Sequence, residues 1–315
     1  MSIIQGNAKT DITPWLCGRC LNFDLTIDKE NISGVSIWTP DLYAVKDGLL
    51  RHERVALTAD KYEGLGIDII EMLKMLLEKK GYITGCYDEF YIPGKSPYQR
   101  ERSVHDYVLF GYDDSEEVFY SAGYLNTGKY DVLKIKYEDM RKSLESLIPD
   151  EIFFDIWTYR DDAEYKLNVS RIINGLIAYI NPEDKHGKGY FWDEDEEYSG
   201  INAMIRLNEY FRAQMAHEGR FIDSRYTRIL MEHKYYMYKR ADYIVQNRGE
   251  QDSSISELFH KNYNMARQIH MLGLKINMTG KKEEYERMDQ LFQDIVRHEQ
   301  RYIPDMIDIY KRMAL

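Results

Sequence analysis

The spacing of apolar residues changes character once along this 315-residue chain, and that change limits the folds open to it. Before about Tyr137 the pattern is mixed. Residues 66–80 place Ile69, Ile70, Leu73, Leu76 and Leu77 on one helical face, and the basic end before Gly81 is a helix stop. Three strand-like runs follow: Tyr82 to Ile92, closed by Pro93-Gly94; Val104 to Tyr112, closed by Asp113-Asp114; and Val118 to Tyr124, before Asn126-Thr127-Gly128. The second and third are spaced as a hairpin through Asp113 to Glu117. After Tyr137 long helical patterns take over: Glu164 to Ile180, Ser199 to His217, Ser224 to Asn247, Ile255 to Asn277 and Lys282 to Met313. Lys185 to Glu197 reads as a loop rich in glycine and acid. No fixed-period repeat is visible, which excludes a solenoid. The expectation is an α+β chain: residues 1–140 form a domain with an antiparallel sheet, and residues 141–315 an all-helical domain.

With 44% hydrophobic and 30% charged residues the chain has material for a full core. No apolar run reaches the ~18 to 20 residues of a membrane span, and no basic-then-apolar leader opens the sequence. A cytoplasmic protein is expected. The net charge of −11 repels nucleic-acid phosphates and anionic headgroups, so neither nucleic acid nor membrane is an expected partner. Such a charge suits amines, and it also serves solubility alone. Oligomeric state is left open.

The three cysteines, Cys17, Cys20 and Cys86, are odd in number and come with no secretion signal, which argues against a disulfide framework. Cys17 and Cys20 form a C-x-x-C pair. Zinc would need two further ligands, and no second such pair or H-x-x-x-H follows, so no metal or cofactor is expected. Cys86 sits mid-strand among aromatics and reads as core. The Tyr235-Tyr236-Met237-Tyr238 cluster reads as helix packing. The acidic run Asp193 to Glu197 reads as a solvated loop that could attract an amine.

The segment Cys17-Gly18-Arg19-Cys20-Leu21-Asn22-Phe23 resembles the C-G-[SA]-C-[WY] signature of papain-type cysteine peptidases, departing from it at Arg19 and Leu21. By that match Cys20 is the nucleophile, with Cys17 the alternative and a pair of small buried residues the bland reading. A thiol needs a helix N-terminus, an imidazole or both to ionise at neutral pH, and a short helix is expected to begin near Cys20. His105 opens the run His105-Asp106-Tyr107-Val108-Leu109-Phe110-Gly111-Tyr112-Asp113. A strand start holds an imidazole rigidly yet open to solvent, as a proton-transfer group requires.

Cys86 to Pro93, Val104 to Asp113 and Val118 to Tyr124, with Asp223-Ser224-Arg225 and Glu232-His233-Lys234 on one later helix, resemble the butirosin acyltransferase-like family. That family is related to papain-like peptidases and is associated with nonribosomal, thiotemplated assembly. The resemblance implies a papain-like N-terminal domain covered by the helical one. It also implies amide formation between an acyl thioester on a carrier protein and a small amine or diamine, through an acyl-enzyme on Cys20 with His105 as base. The family's third catalytic residue, an Asp or Asn after the histidine strand, meets only Ser121-Ala122-Gly123 here. Asn126 and Asp88 are the candidates, while Asp106 alternates to the opposite face from His105. Two other readings stay open: a cysteine peptidase with the same acyl-enzyme, and a non-catalytic binding protein that keeps the fold.

Overall fold

The structure is a computed structural model describing residues 2–28, 31–37, 45–58, 60–61, 64, 66, 68–79, 81–127, 129–147, 152–182, 185–186, 196–215, 221–248, 254–281 and 283–313. In chain order its elements are α1 (Ser2–Asn7), α2 (Thr13–Leu16), β1 (Asp24–Asp28), β2 (Asn31–Ser36), β3 (Leu50–Leu57), α3 (Ile69–Glu78), β4 (Gly81–Asp88), β5 (Val104–Asp113), β6 (Val118–Tyr124), β7 (Tyr130–Lys136), α4 (Tyr137–Glu145), β8 (Ile152–Tyr159) and α5 (Val169–Ile180). Then come β9 (Lys185–His186), β10 (Glu196–Ser199), α6 (Gly200–Met215), α7 (Ser224–Arg248), α8 (Ser254–Thr279) and α9 (Glu283–Met313). The chain is α+β, and every strand pairing is antiparallel.

The chain divides into two compact units: Met1–Lys9 with Asp41–Glu164, and Thr10–Pro40 with Tyr165–Leu315. This division departs from the expected break after residue 140. The strand β8 pairs with both β3 and β4, so the sheet takes in residues beyond it. The N-terminal segment that carries Cys20 belongs with the helices instead.

The first unit is a six-stranded sheet in the order β3-β8-β4-β5-β6-β7. Alternation along the strands sends Ile83 and Tyr87 of β4, Tyr107 and Leu109 of β5, Phe119 of β6 and Ile135 of β7 to one face. There they meet Ile70, Leu73 and Leu77 of α3 and Met140 and Leu144 of α4. The expected hairpin of β5 and β6 is present, with a register shift between Leu109 and Gly111.

The helix α3 is capped at its start by Asp68, whose carboxylate accepts from the backbone N–H of Ile70 (2.9 Å) and of Glu71 (3.3 Å). The Arg141 guanidinium from α4 also donates to Asp68. That hydrogen bond, helped by the two amides and opposed by burial, holds the carboxyl below the usual carboxylate range. Asp68→Ala is expected to cost about 1 kcal/mol of stability. Because the folded pKa is depressed, the contribution is complete above the unfolded value of roughly 3.9 and is lost as pH falls through the folded value. Urea titrations between pH 7 and pH 2 should therefore show the wild-type advantage shrinking only below about pH 4.

The second unit holds a small sheet in the order β2-β1-β10-β9 and the helices α5 to α9. The five helical patterns read from the sequence correspond to α5–α9 with shifts at the ends. The stretch 185–197 is not simply a loop, since its ends form β9 and β10 and extend the sheet from β1. Asp193 to Asp195 of the acidic run lie outside the described residues. Helical spacing brings Leu176 and Tyr179 of α5, Met204, Leu207 and Phe211 of α6, Leu230, Met237 and Ile244 of α7, Phe259 and Ile269 of α8 and Met288, Phe292 and Ile295 of α9 into the core.

Candidate active site

The Cys17–Cys20 turn is built from the end of a short helix. Asp11 accepts from the N–H (2.9 Å) and hydroxyl (2.6 Å) of Thr13, and Pro14, the second residue of α2, brings its preset φ to the first turn. The helix then tightens: Gly18 N–H donates to the Trp15 carbonyl (3.0 Å) and Arg19 N–H to that of Leu16 (2.9 Å). Arg19 is buried with its guanidinium stacked on Trp15, 4.5 Å from the ring centre. Cys20 follows in the left-handed region, at φ 47°. The helix expected to begin near Cys20 is not there. Residues 21–23 are irregular and lead into β1, so no helix N-terminus faces the thiol from its own chain direction.

What faces it instead is α7. The Arg240 side chain is fully buried, and its Nε donates to the Cys17 carbonyl oxygen at 2.8 Å. Its Nη1 meets the Met237 sulfur at 3.1 Å, while the buried Nη2 has no hydrogen-bond partner among the described residues. The Tyr310 hydroxyl donates to the Arg240 carbonyl (3.2 Å) and lies within reach of the Cys17 thiol. Cys17 is sealed, and Cys20 keeps 7% of its surface exposed. Burial pushes both thiols up to about 11, against the pull of the Arg240 charge. Both are therefore protonated at rest at neutral pH.

His105 opens β5 in the first unit, directly across from Tyr87 on β4, and is exposed. Among the described residues the one hydrogen bond of its ring is a 3.2 Å contact of Nδ1 with the Asp106 carbonyl. Neither proposed third residue bonds it. The Asp88 carboxylate is committed to the loop ahead of β5: it accepts from the N–H of Phe90 (3.1 Å) and of Ser103 (3.2 Å) and pairs with Arg102. Asn126 lies in the turn after β6, where its N–H donates to the Gly94 carbonyl (2.8 Å); its side chain is exposed without a bond among the described residues. Asp106 does alternate away from His105, and faces Cys86 across the strand pair at 3.4 Å. Cys86 is half-buried rather than core, because that face of β4 and β5 is the one away from α3 and α4.

On the same far face lies a set of residues that sequence reading missed. Asp155 of β8 accepts from His52 Nε2 (2.8 Å) and from both forks of Arg54 (2.6 and 2.7 Å). The His52 ring stacks on Trp157 at 4.3 Å, and the Trp157 indole donates to Thr84 at 2.9 Å.

A second cluster, whose members Lys234 and His233 the resemblance named without their partners, sits in the helical core. Lys234 of α7 and Glu299 of α9 pair at 2.8 Å, both with no exposed side-chain surface. The Tyr179 hydroxyl donates to the same Glu299 oxygen (2.6 Å), and Lys234 also reaches the Met204 sulfur (2.8 Å). The buried His233 ring lies 5.1 Å from Tyr179 and 5.7 Å from Phe23, and burial, with the charges of Lys234 and Arg240, holds it well below its ordinary pKa. The sequence did carry a signal for these residues. On α7 the buried stripe runs Leu230, His233, Lys234, Met237, Arg240, Ala241 and Ile244, so two cations occupy apolar-face positions. Glu299 does the same between Ile295 and Ile303 on α9.

Among the described residues no group of three or more His, Cys, Asp or Glu side chains could hold a metal ion, and no helix is long and apolar enough to cross a membrane. Compared with models of known protein families, the chain matches none, and no curated protein matches it.

Proposed function

We propose that this protein is a cysteine-dependent acyltransferase, in which Cys20 accepts an acyl group from a carrier-protein thioester and passes it to a small amine. The observation that carries this reading is the backbone of Cys20. A side chain at φ 47° costs about 1 to 2 kcal/mol relative to glycine. Strain of this kind is retained where a particular side chain is needed, and here it falls on a buried cysteine, 7% exposed, at the end of a turn. In the reaction the Cys20 thiolate attacks the thioester carbonyl and the carrier thiol departs with a proton. The amine nitrogen then attacks the Cys20 thioester, loses a proton to a base, and expels the Cys20 thiolate as the amide forms. The family resemblance assigns the base to His105. Amide formation in place of hydrolysis requires water to be kept from the acyl-enzyme. Asp88 keeps a structural role in this scheme, since its oxygens are already engaged.

The test is intact-mass spectrometry with an acyl thioester donor. Wild-type protein should gain one acyl mass that amines discharge faster than water does. Cys20→Ala should gain none, and His105→Ala should turn over at least about 100-fold more slowly. An adduct of undiminished yield on Cys20→Ala would remove the reading. The burial that pushes the thiol up to about 11 favours a second one, a non-catalytic protein that binds a natural product. That reading expects no adduct from any thioester donor.

A further inference from the structure

Arg240 is a guanidinium with no exposed surface in the middle of a helical core. Arginine does not lose its proton in proteins, so the charge is present in the folded state. Taking such a charge out of water costs several kcal/mol unless an anion or a full set of acceptors receives it. Among the described residues no carboxylate pairs with Arg240. Its partners are one carbonyl oxygen and one thioether sulfur, and Nη2 has none. Among the described residues the buried Glu299 carboxylate pairs with Lys234 and not with Arg240. The groups that face Arg240 are Cys17, Cys20, Tyr236 and Tyr310, with the cation of Lys234 and the neutral ring of His233 on its own helix. Cys20 is also faced by Arg19 and, in the opposing sense, by Glu232. Of the acids around Arg240 the thiols ionise most readily.

Given the proposed role of Cys20 as nucleophile, we infer that Arg240 is the counter-ion of the Cys20 thiolate. It is a positioning residue that stands in for the missing helix N-terminus. The bond from Nε to the Cys17 carbonyl fixes the guanidinium against the turn that carries both sulfurs, and among the described residues it leaves the buried Nη2 donor without a partner. The resting thiol is protonated. When it gives up its proton for attack, the negative charge forms beside a cation that no carboxylate among the described residues neutralises. At an effective dielectric of about 20, a pair of charges a few Å apart is worth well over a tenfold change in ionisation. The same cation also makes the cysteine thiolate a better leaving group from the acyl-enzyme, since what stabilises the anion stabilises it in both directions.

The experiment reads the thiolate directly and needs no acyl donor. Iodoacetamide labelling of Cys20 is followed by peptide mass spectrometry from pH 7 to pH 11 in wild-type protein, Arg240→Met and Arg240→Lys, each checked for native circular dichroism. Labelling at any one pH below the plateau should fall at least tenfold in Arg240→Met, with its profile moved to higher pH by one unit or more. Arg240→Lys should stay within about threefold of wild type, because the charge is kept. Should Arg240→Met fail to fold, the Lys variant carries the test with its pair Arg240→Gln, which keeps a donor and loses the charge. A profile that is the same with and without the cation overturns the inference. A profile that moves as stated, in a protein that forms no acyl adduct, upholds it and removes the acyltransferase reading instead.

Discussion

Lys234→Met is expected to destabilise the helical unit by about 3 to 5 kcal/mol. The lysine and Glu299 have no exposed side-chain surface and stand 2.8 Å apart. Removing the cation leaves the carboxylate inside the core with only the Tyr179 hydroxyl, while its second oxygen already lacks a partner. The loss is then chiefly the cost of the stranded charge, and less the worth of the pair itself. A second substitution separates the two. In the double variant Lys234→Met with Glu299→Gln, no charge is left to strand and the Tyr179 hydroxyl keeps an acceptor. It should recover about 2 kcal/mol relative to Lys234→Met alone. Urea midpoints of the four proteins of the cycle measure this. A double variant no more stable than the single one would mean that the pair is held for its attraction and that desolvation is not the dominant effect.

Gly200→Ala should be nearly as damaging, at about 3 to 5 kcal/mol, through backbone geometry alone. Gly200, the first residue of α6 directly after β10, has φ +59°, where a side chain is strained whatever the space around it. Here there is also no space. A Cβ would fall 2.2 Å from the Tyr179 carbonyl oxygen and 2.9 Å from the carbonyl carbon and Cα of the same residue. Neither neighbour can move easily, because Tyr179 belongs to the end of α5 and the Gly200 N–H is tied to the Phe23 carbonyl at 2.8 Å. The contact joins α5, α6 and the segment just after Cys20 at one point. Thermal unfolding of the variant should show a midpoint lower by more than about 5 °C. A shift under about 2 °C would show that the α5 end yields to a side chain at this position.

The strand runs of β4, β5 and β6 and the five long helices were legible because each buries one face, and alternation or a helical stripe records which. The strands β3 and β8 were not. On β3, Arg51, His52, Glu53 and Arg54 stand where a strand signature wants apolar alternation. They are tolerated because β3 is an edge strand whose far face carries the Asp155 cluster. The sequence of β8, Ile-Phe-Phe-Asp-Ile-Trp-Thr-Tyr, is strand-like by composition. Its place between β3 and β4 depends on pairing with residues about 70 and 100 positions away, and no local spacing encodes that. The small β2-β1-β10-β9 sheet was lost for the same reason.

Local pattern by itself determined the α+β class, the helix stripes and the short list of groups able to do chemistry, because those depend on side-chain type and on spacings of two to four residues. Tertiary structure alone decided which of those groups are free to react. It assigned Asp88 to holding a loop, gave Cys20 a strained backbone with no helix start beneath it, and set the buried charge of Arg240 against its turn. Ionisation and strain are properties of surroundings assembled from segments hundreds of residues apart. The Arg240 bond to Cys17, across 223 positions of chain, exists only once the helices have packed.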